Sequence, residues 1–244
     1  MRLHQLLHID NDSPYTVAIC GAGGKTTLLY ALAREAAAAG RRTAVYTTTH
    51  IMQPAAPDLA AFHILAPKEI EAAWQAGQIA VAGTPLRDGR FELPEPAMRN
   101  FFHQRAEACF VEADGSKRLP CKFPDLSHEP VIPRQATQVV LVFGLSALGR
   151  PFDSFCHRAV LARKCLQITE QVIDEAVLAR LICGGYGHLK PIVLLNQADG
   201  AAARARGETV AALLRQAGIE HVCVASLHQL AGAHAQYTHP GETE

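Results

Sequence analysis

The chain has 244 residues, of which 49% are hydrophobic, so it can bury a substantial core in one large domain or two small ones. Its 23 basic residues balance its 23 acidic ones, which leaves no net charge to attract nucleic acid or an anionic membrane. No apolar run reaches the roughly 18 residues that span a bilayer, and the seven cysteines show no C-x-x-C spacing. We therefore expect a cytoplasmic protein with no nucleic-acid or membrane partner and with neither a disulfide framework nor a zinc ribbon.

A glycine-rich stretch follows the first predicted strand, over residues 15–20, and leads into a predicted helix over 26–39: Gly21-Ala22-Gly23-Gly24-Lys25-Thr26-Thr27. This order is typical of a nucleotide phosphate loop, because the amides of the turn and the positive end of the helix both face the anion. In such a loop Lys25 reaches the β- and γ-phosphates, and Thr26 offers its hydroxyl to Mg²⁺.

The stretch departs from the common phosphate-loop pattern, because Ile19 stands where a glycine six residues before the lysine is usual. The shorter spacing G-x-x-G-K-T-T resembles the loops of Mur-type ligases. The competing interpretation is a glycine-rich turn between a strand and a helix that binds nothing.

Strands and helices alternate along the rest of the chain. We predict strands over 43–48, 79–82, 109–112, 138–143, 191–195 and 222–225, helices over 67–76, 95–106, 170–182 and 201–217, and a hairpin over 84–91. Thr169 is the predicted cap of the helix over 170–182. The alternation predicts an α/β, P-loop NTPase-like fold, with a mostly parallel sheet and helices on both faces. We expect a single nucleotide-binding domain over 1–244, with a long functional loop around 113–137.

Two carboxylates stand at the end of the predicted strand over 109–112. Glu112 is its last residue, and Asp114 follows two positions later, before Gly115. A carboxylate at a strand end beside the phosphate loop is the ligand that Mg²⁺ requires. One of the two is expected to hold Mg²⁺ and the other to orient a water or a substrate, and the sequence leaves the choice open. The alternative is an acidic surface turn.

The four residues after the strand over 191–195, Asn196-Gln197-Ala198-Asp199, resemble the guanine-reading N-K-x-D element of GTP-binding proteins. Asn196 would tie loops together, and Asp199 would accept two hydrogen bonds from guanine. Gln197 stands where lysine is usual, so the choice between GTP and ATP stays open. The alternative is a helix start with Asp199 as its cap.

Several polar residues are candidates for contact with a second substrate. His50 ends the run Thr47-Thr48-Thr49-His50, and the long loop carries the remaining candidates: Lys117, Arg118, His128 and Glu129. The two cations suit an anionic substrate, and His128-Glu129 places a base beside a carboxylate. The alternative for the loop residues is a solvated surface. Cys121 and Cys156 lie in polar loops, where a thiol can be reactive.

Five motifs stand in the order in which they occur in the YqeC family: Gly-Ala-Gly-Gly-Lys-Thr-Thr (21–27), Thr-Thr-Thr-His (47–50), Val-Glu-Ala-Asp-Gly-Ser (111–116), His-Glu-Pro-Val-Ile-Pro (128–133) and Asn-Gln-Ala-Asp (196–199). The chain resembles this family over nearly its whole length. The family is known as an accessory protein for selenium-dependent molybdenum hydroxylases, named as a selenium cofactor biosynthesis protein. The resemblance implies a bacterial maturation factor with a P-loop nucleotide site, and a molybdenum cofactor or a hydroxylase client as partner.

Three functional hypotheses remain open at this point. The first is a Mg²⁺-dependent NTPase that assists maturation of a selenium-containing molybdenum cofactor. The second is a nucleotide switch or chaperone that delivers a cofactor to its client. The third is a kinase or ligase-like enzyme that activates a substrate through phosphate, which the Mur-like spacing favours.

Overall fold

A computed structural model of the chain describes residues 2–9 and 14–231. Its strands are β1 (Tyr15–Gly21), β2 (Thr43–Thr47), β3 (His50–Met52), β4 (Leu59–Phe62), β5 (Ile79–Ala82), β6 (Thr84–Pro85), β7 (Arg90–Glu92), β8 (Ala108–Glu112), β9 (Cys121–Lys122), β10 (Gln138–Gly144), β11 (Cys156–His157), β12 (Ile192–Asn196) and β13 (Val222–Val224). Its helices are α1 (Leu3–Leu6), α2 (Lys25–Ala38), α3 (Pro67–Gln75), α4 (Pro96–Arg105), α5 (Phe152–Phe155), α6 (Ala159–Leu166), α7 (Glu175–Tyr186), α8 (Ala201–Gln216) and α9 (Leu227–Ala231).

Eight strands form one sheet in the order β13-β12-β10-β1-β8-β2-β5-β4, and every pairing within it is parallel. The central strand β1 is buried along its whole length, as expected for a parallel strand covered on both faces. The predicted α/β, P-loop NTPase-like fold is confirmed. Because all eight strands run the same way, their carboxyl ends meet at one edge, where ligands bind in open sheets of this kind.

Helices cover both faces of the sheet. Side chains alternate along β1, so that Val17 and Ile19 pack with α1, α2 and α9, whereas Ala18 and Cys20 pack with α7 and α8. The helices α3 and α4 cover this second face further along the sheet, against β2 and β8. The core is therefore divided into two layers by the sheet, and β1 with its following turn is held from both sides.

Two smaller sheets lie beside the main one. The predicted hairpin over 84–91 forms as β6 and β7, and β3 joins it as a third antiparallel strand. The strand β9 lies in the loop over 113–137 and pairs in parallel with β11, which follows α5. The loop is thus long, but it is not free of regular structure.

The boundaries of most predicted elements agree with the structure to within one or two residues. One prediction was wrong: the helix placed over 170–182 begins at Glu175, and its cap is Asp174, whose carboxylate accepts a hydrogen bond from the Val177 amide. Thr169 is not the cap, because the following segment pairs with Pro151 through Val172 and is extended. The short helices α5 and α6 were not predicted, because neither offers a long apolar period.

Within residues 2–9 and 14–231, the longest apolar helical segments fall short of what is needed to cross a membrane.

The N-terminal helix α1 is fastened to α2 by the carboxylate of Glu35. It accepts hydrogen bonds from the Leu3 amide at 2.7 Å, the His4 amide at 3.1 Å and His4 Nδ1 at 2.9 Å. Burial on its own would raise the pKa of Glu35, but the hydrogen bonds from His4 and Leu3 outweigh it and lower that pKa below its ordinary value. This contribution to stability is present above the ordinary pKa of a glutamate and is lost as pH falls through the lowered one.

We expect Glu35→Gln to lower the free energy of unfolding by about 1–2 kcal/mol at pH 7, since the charge-assisted hydrogen bonds are lost. The difference from the wild type should shrink as the pH falls below about 4.3, the ordinary value for a glutamate. Urea denaturation at pH 7, 5 and 3.5 measures both. Glu208→Gln, on the exposed face of α8, is the matched control, and a pH-independent difference would contradict the assignment.

Candidate functional site

The turn between β1 and α2, Gly21–Gly24, requires glycine at three positions. Gly21, Gly23 and Gly24 have φ angles of +95°, +77° and +131°. A Cβ on them would lie 2.2 Å from the Val142 carbonyl oxygen, 2.4 Å from the Gly144 nitrogen and 2.3 Å from Asn196 Nδ2. The turn is therefore pressed against the ends of β10 and β12, and we call residues 21–27 the glycine turn.

The helix α2 begins within the glycine turn, at Lys25. Among the described residues no side chain caps this helix, whose cap position is Gly24. The first N–H groups of a helix need an external acceptor, and together with the helix dipole they favour an anion. The start of α2 is therefore favourable for an anion.

Lys25 lies across the glycine turn. Its Nζ donates to the Gly21 carbonyl at 2.8 Å and lies 3.4 Å from Asp114 Oδ1 and 3.8 Å from Glu112 Oε1. The residue is only 4% exposed. A buried ammonium is stable only with such partners, so the Gly21 carbonyl and the two carboxylates offset the burial of Lys25.

Glu112 ends β8 with its carboxylate against Thr26. Thr26 Oγ1 donates to Glu112 Oε2 at 2.8 Å. Burial raises the pKa of Glu112 above its ordinary value, opposed by Lys25 and by the Thr26 hydrogen bond, while the Asp114 charge raises it further. A hydroxyl and a carboxylate that already lie within hydrogen-bond distance form a pair of oxygen ligands suited to a hard cation.

The threonine run at the end of β2 holds the backbone of Glu112. The Glu112 carbonyl accepts hydrogen bonds from the Thr48 amide at 2.9 Å and from Thr47 Oγ1 at 3.2 Å. The predicted run therefore does reach the site, but through its threonines. His50 lies on β3, half-exposed on the cleft wall, with Nε2 3.9 Å from a carboxylate oxygen of Glu92.

Asp114 is completely buried and its oxygens are occupied by protein donors. Both accept from the Gly21 amide, at 3.0 and 3.1 Å, and Oδ2 also accepts from Tyr186 Oη at 3.0 Å and lies 3.0 Å from Lys122 Nζ. With Lys25 Nζ at 3.4 Å from Oδ1, the carboxylate has an amide, a hydroxyl and two ammonium groups as partners. Asp114 thus fixes the start of the glycine turn, and of the two candidate carboxylates only Glu112 lines the open cleft.

Lys122 continues this buried network away from the turn. Its Nζ is fully buried and donates to the Gly115 carbonyl at 2.6 Å and to Glu129 Oε2 at 2.7 Å. Glu129 also accepts two hydrogen bonds from Arg158, one of them at 3.0 Å. Burial would raise the pKa of Glu129, but these donors outweigh it and lower that pKa.

Glu129 is therefore engaged with cations and does not form the base–carboxylate pair expected with His128. The His128 side chain is exposed and lies outside the cleft lining. Lys122 and Tyr186 were missed in the sequence, because a single lysine or tyrosine in an apolar neighbourhood carries no motif.

Asn196, at the end of β12, ties the glycine turn to the far side of the sheet. Its Nδ2 donates to the Gly23 carbonyl at 2.8 Å, and its Oδ1 accepts from the Leu227 amide at 2.9 Å. Gln197 has φ +66° and accepts from Ser146 Oγ at 2.7 Å. Asp199 is exposed, and one of its oxygens accepts from Ser226 Oγ. It does not cap α8, whose cap position is Gly200, with no side-chain cap in the described chain.

An open cleft of about 1900 Å³ lies over the glycine turn. Residues of the glycine turn line it on one side, and the strands β3 and β7 of the small sheet form one wall. The loop over 113–137 and β11 form another wall, through these residues: Gly115, Ser116, Lys117, Arg118, Pro120, Glu129 and His157. The structure thus brings Lys117 and Arg118 to the same cleft as Lys25 and Glu112.

The two cysteines considered as candidates for a reactive thiol, Cys121 and Cys156, are buried and adjacent. Cys121 and Cys156 pair across β9 and β11. A hydrogen bond with Cys156, together with burial, raises the pKa of the Cys121 thiol, which disfavours the reactive thiolate. Both side chains are part of the hydrophobic core on the α7 and α8 face of the sheet.

Comparison with known proteins gives one family and one relative. The family model described as YqeC protein matches residues 17–160. The "Uncharacterized protein YqeC" of Escherichia coli (strain K12) is 35% identical over 149 residues, which is 56% of this chain and 54% of that protein. The alignment therefore spans about half the length of the relative. The family match includes the glycine turn, Glu112, Asp114 and the long loop, whereas Asn196 and Asp199 lie beyond it.

We expect Asp114→Asn to lower the free energy of unfolding by about 3–5 kcal/mol, because it leaves Lys25 and Lys122 buried without their shared counter-charge. Urea denaturation at pH 7 measures the change. Asp125→Asn is the matched control, since this aspartate lies in the same loop and its side chain accepts from Ser127 at the surface. It should change stability by less than about 1 kcal/mol, and equal effects of the two variants would refute the role of Asp114.

Proposed function

The chain belongs to the YqeC family, and from that premise we propose that it is a Mg²⁺-dependent P-loop nucleotide-binding protein that cleaves or transfers the terminal phosphate of GTP or ATP. Its proposed task is the maturation of a selenium-containing molybdenum cofactor for a molybdenum hydroxylase. The nucleotide part is supported by the arrangement of Lys25, Thr26 and Glu112 at the glycine turn. The client part is supported by the family resemblance.

The single observation that carries the nucleotide proposal is the 2.8 Å contact between Thr26 and Glu112 beside the buried Lys25. A hydroxyl from the turn and a carboxylate from the neighbouring strand are the protein ligands that Mg²⁺ takes in P-loop proteins, with nucleotide phosphates and waters as the rest. The described chain holds no cluster of three or more acidic, histidine or cysteine ligands. That agrees with an ion which depends on the nucleotide for much of its coordination.

In this proposal each residue has a distinct task. The amides from Gly23 to Thr27 cradle the phosphates, and Lys25 leaves its internal partners to neutralise the β- and γ-phosphates. The amides of Gly21 and Ala22 instead hold the turn in place, because they donate to Asp114 and to the Val142 carbonyl. Thr26 and Glu112 hold Mg²⁺, which when bound neutralises the charge that develops on the transferred phosphoryl group. Asp114 keeps the turn in register and is a positioning residue.

The proposed base site lies at Asn196-Gln197-Ala198-Asp199. Asn196 already joins this segment to the glycine turn, as a loop-tying asparagine would. The second oxygen of Asp199 accepts no hydrogen bond from the described protein, so the carboxylate can accept from a guanine edge. We propose GTP as the preferred nucleotide on this ground.

We expect Lys25→Met and Glu112→Gln to weaken nucleotide binding in different ways. Lys25→Met should reduce affinity by at least about tenfold, or about 1.4 kcal/mol, with or without Mg²⁺, because the phosphate charge loses its partner. Glu112→Gln should remove only the gain in affinity that Mg²⁺ gives. Calorimetric titration with a non-hydrolysable GTP analogue, with Mg²⁺ and with EDTA, separates the two effects.

Lys68→Met, at an exposed position of α3, is the control for the lost charge in this titration. A folded Lys25→Met variant that binds Mg–nucleotide as tightly as the wild type would overturn the proposed placement of the phosphates. An undiminished Mg²⁺ effect in Glu112→Gln would overturn the metal assignment.

Side-by-side titration with Mg–GTP and Mg–ATP analogues tests the base site. We expect GTP to bind at least about tenfold more tightly than ATP. Asp199→Asn should remove this preference, because the amide replaces one of the two acceptor oxygens with an NH2 donor, which would face an N–H donor of guanine. Asp88→Asn, in the exposed hairpin, should not. A preference for ATP would contradict the proposed base site and favour a kinase or ligase-like reaction.

A nucleotide-switch chaperone is the second candidate function, favoured by Asn196 because it links the base segment to the turn. Turnover accelerated by the client protein supports a switch, whereas turnover accelerated by a small acceptor supports an enzyme. Transfer of the terminal phosphate to that acceptor supports the kinase or ligase-like alternative.

A further inference from the structure

We propose that the turn Ser116–Leu119 is a subsite for a second substrate that carries a phosphate group, held by Lys117 and Arg118 in front of the glycine turn. This inference rests on the proposed function, because it places an acceptor beside the nucleotide.

The turn has a conformation that its sequence disfavours. The Leu119 amide donates to the Ser116 carbonyl at 3.1 Å, and the two central residues, Lys117 and Arg118, have φ angles of +50° and +62°. Positive φ at both central positions marks a type I′ turn, which normally takes Asn-Gly or Gly-Gly. Two long cationic side chains at these positions therefore store backbone strain, and such strain concentrates at functional sites.

Both ends of this strained turn are fixed to the glycine turn. Upstream, Asp114 binds the Gly21 amide, and Lys122 holds the Gly115 carbonyl at 2.6 Å. Downstream, the Pro120 carbonyl accepts from the Gly144 amide at 2.8 Å and lies 2.8 Å from where a Cβ on Gly23 would stand. The two cations are thus anchored at the mouth of the proposed phosphate cradle.

The charges of Lys117 and Arg118 have no acidic partner in the described part of the chain. The neighbouring cations Lys25, Lys122 and Arg158 each have a carboxylate within 4 Å. Lys117 and Arg118 are exposed and line the cleft. A lysine and an arginine side by side suit a phosphate, since the guanidinium binds two oxygens and the ammonium adds a second charge.

His157 completes this wall of the cleft. It lies on β11 opposite Lys122. It lines the cleft, and burial together with the nearby charges of Arg158, Lys122 and Lys117 lowers its pKa, which favours the neutral imidazole. A neutral imidazole can donate one hydrogen bond to a phosphate oxygen without adding charge.

Two double variants separate binding from folding. Lys117→Gln with Arg118→Gln removes both charges, and Lys117→Asn with Arg118→Gly also supplies the residues that the turn prefers. The second variant should raise the thermal midpoint while it loses the ligand, which a structural role of the cations would not produce. Lys68→Gln with Lys164→Gln, at exposed positions on α3 and α6, is the charge-matched control.

The probe is pyrophosphate, titrated calorimetrically into protein saturated with a non-hydrolysable Mg–nucleotide. We expect both turn variants to lose at least about tenfold in pyrophosphate affinity, with nucleotide affinity changed less than about twofold. Unchanged pyrophosphate binding would overturn the subsite. A parallel fall in nucleotide affinity would also overturn it, because the cations would then serve the nucleotide itself.

A wild-type protein that binds no nucleotide would refute the proposed function without deciding the subsite. The pyrophosphate titration is then performed on nucleotide-free protein. Binding that persists in Lys25→Met and is lost in Lys117→Asn with Arg118→Gly supports the subsite. Binding that is lost in Lys25→Met and persists in the turn variant refutes it.

Discussion

The buried carboxylate of Asp114 is the interaction on which the site depends. It binds the Gly21 amide, the Tyr186 hydroxyl and the Lys122 ammonium, with Lys25 at 3.4 Å. These partners come from the glycine turn, from α7 and from the long loop, which are distant in the sequence. A fully buried carboxylate is stable only if all these donors stay in place. Asp114 therefore fixes three parts of the fold relative to one another.

This constraint separates the roles of two carboxylates that look alike in the sequence. Glu112 and Asp114 stand two residues apart, one at the end of β8 and one just beyond it. The Glu112 carboxylate accepts a hydrogen bond from Thr26 and lines the cleft. The Asp114 carboxylate is buried, and its oxygens accept hydrogen bonds from protein donors. The surroundings, rather than the residue type, decide which of them is open to a ligand.

The sequence predicts well what repeats along the chain and poorly what depends on a single distant contact. The parallel sheet and the glycine turn follow from alternation and from local spacing, and both are present. The cap at Asp174 was missed because an isolated bridge between Pro151 and Val172 keeps the preceding segment extended. Lys122 and Tyr186 carry no periodic signal, and their roles arise only when α7 and the loop meet Asp114.

Gln197 shows how one departure from a motif is accommodated by its neighbours. Its Oε1 accepts from Ser146 Oγ and lies so close to Gly144 that a Cβ there would stand 2.3 Å away. A lysine at this position could not accept that hydrogen bond, because an ammonium has no acceptor. Glutamine therefore fastens the segment after β12 to the turn after β10, and Gly144 leaves room for it. A glutamine at this position is therefore a neutral link between two turns, which a lysine could not form in the same way.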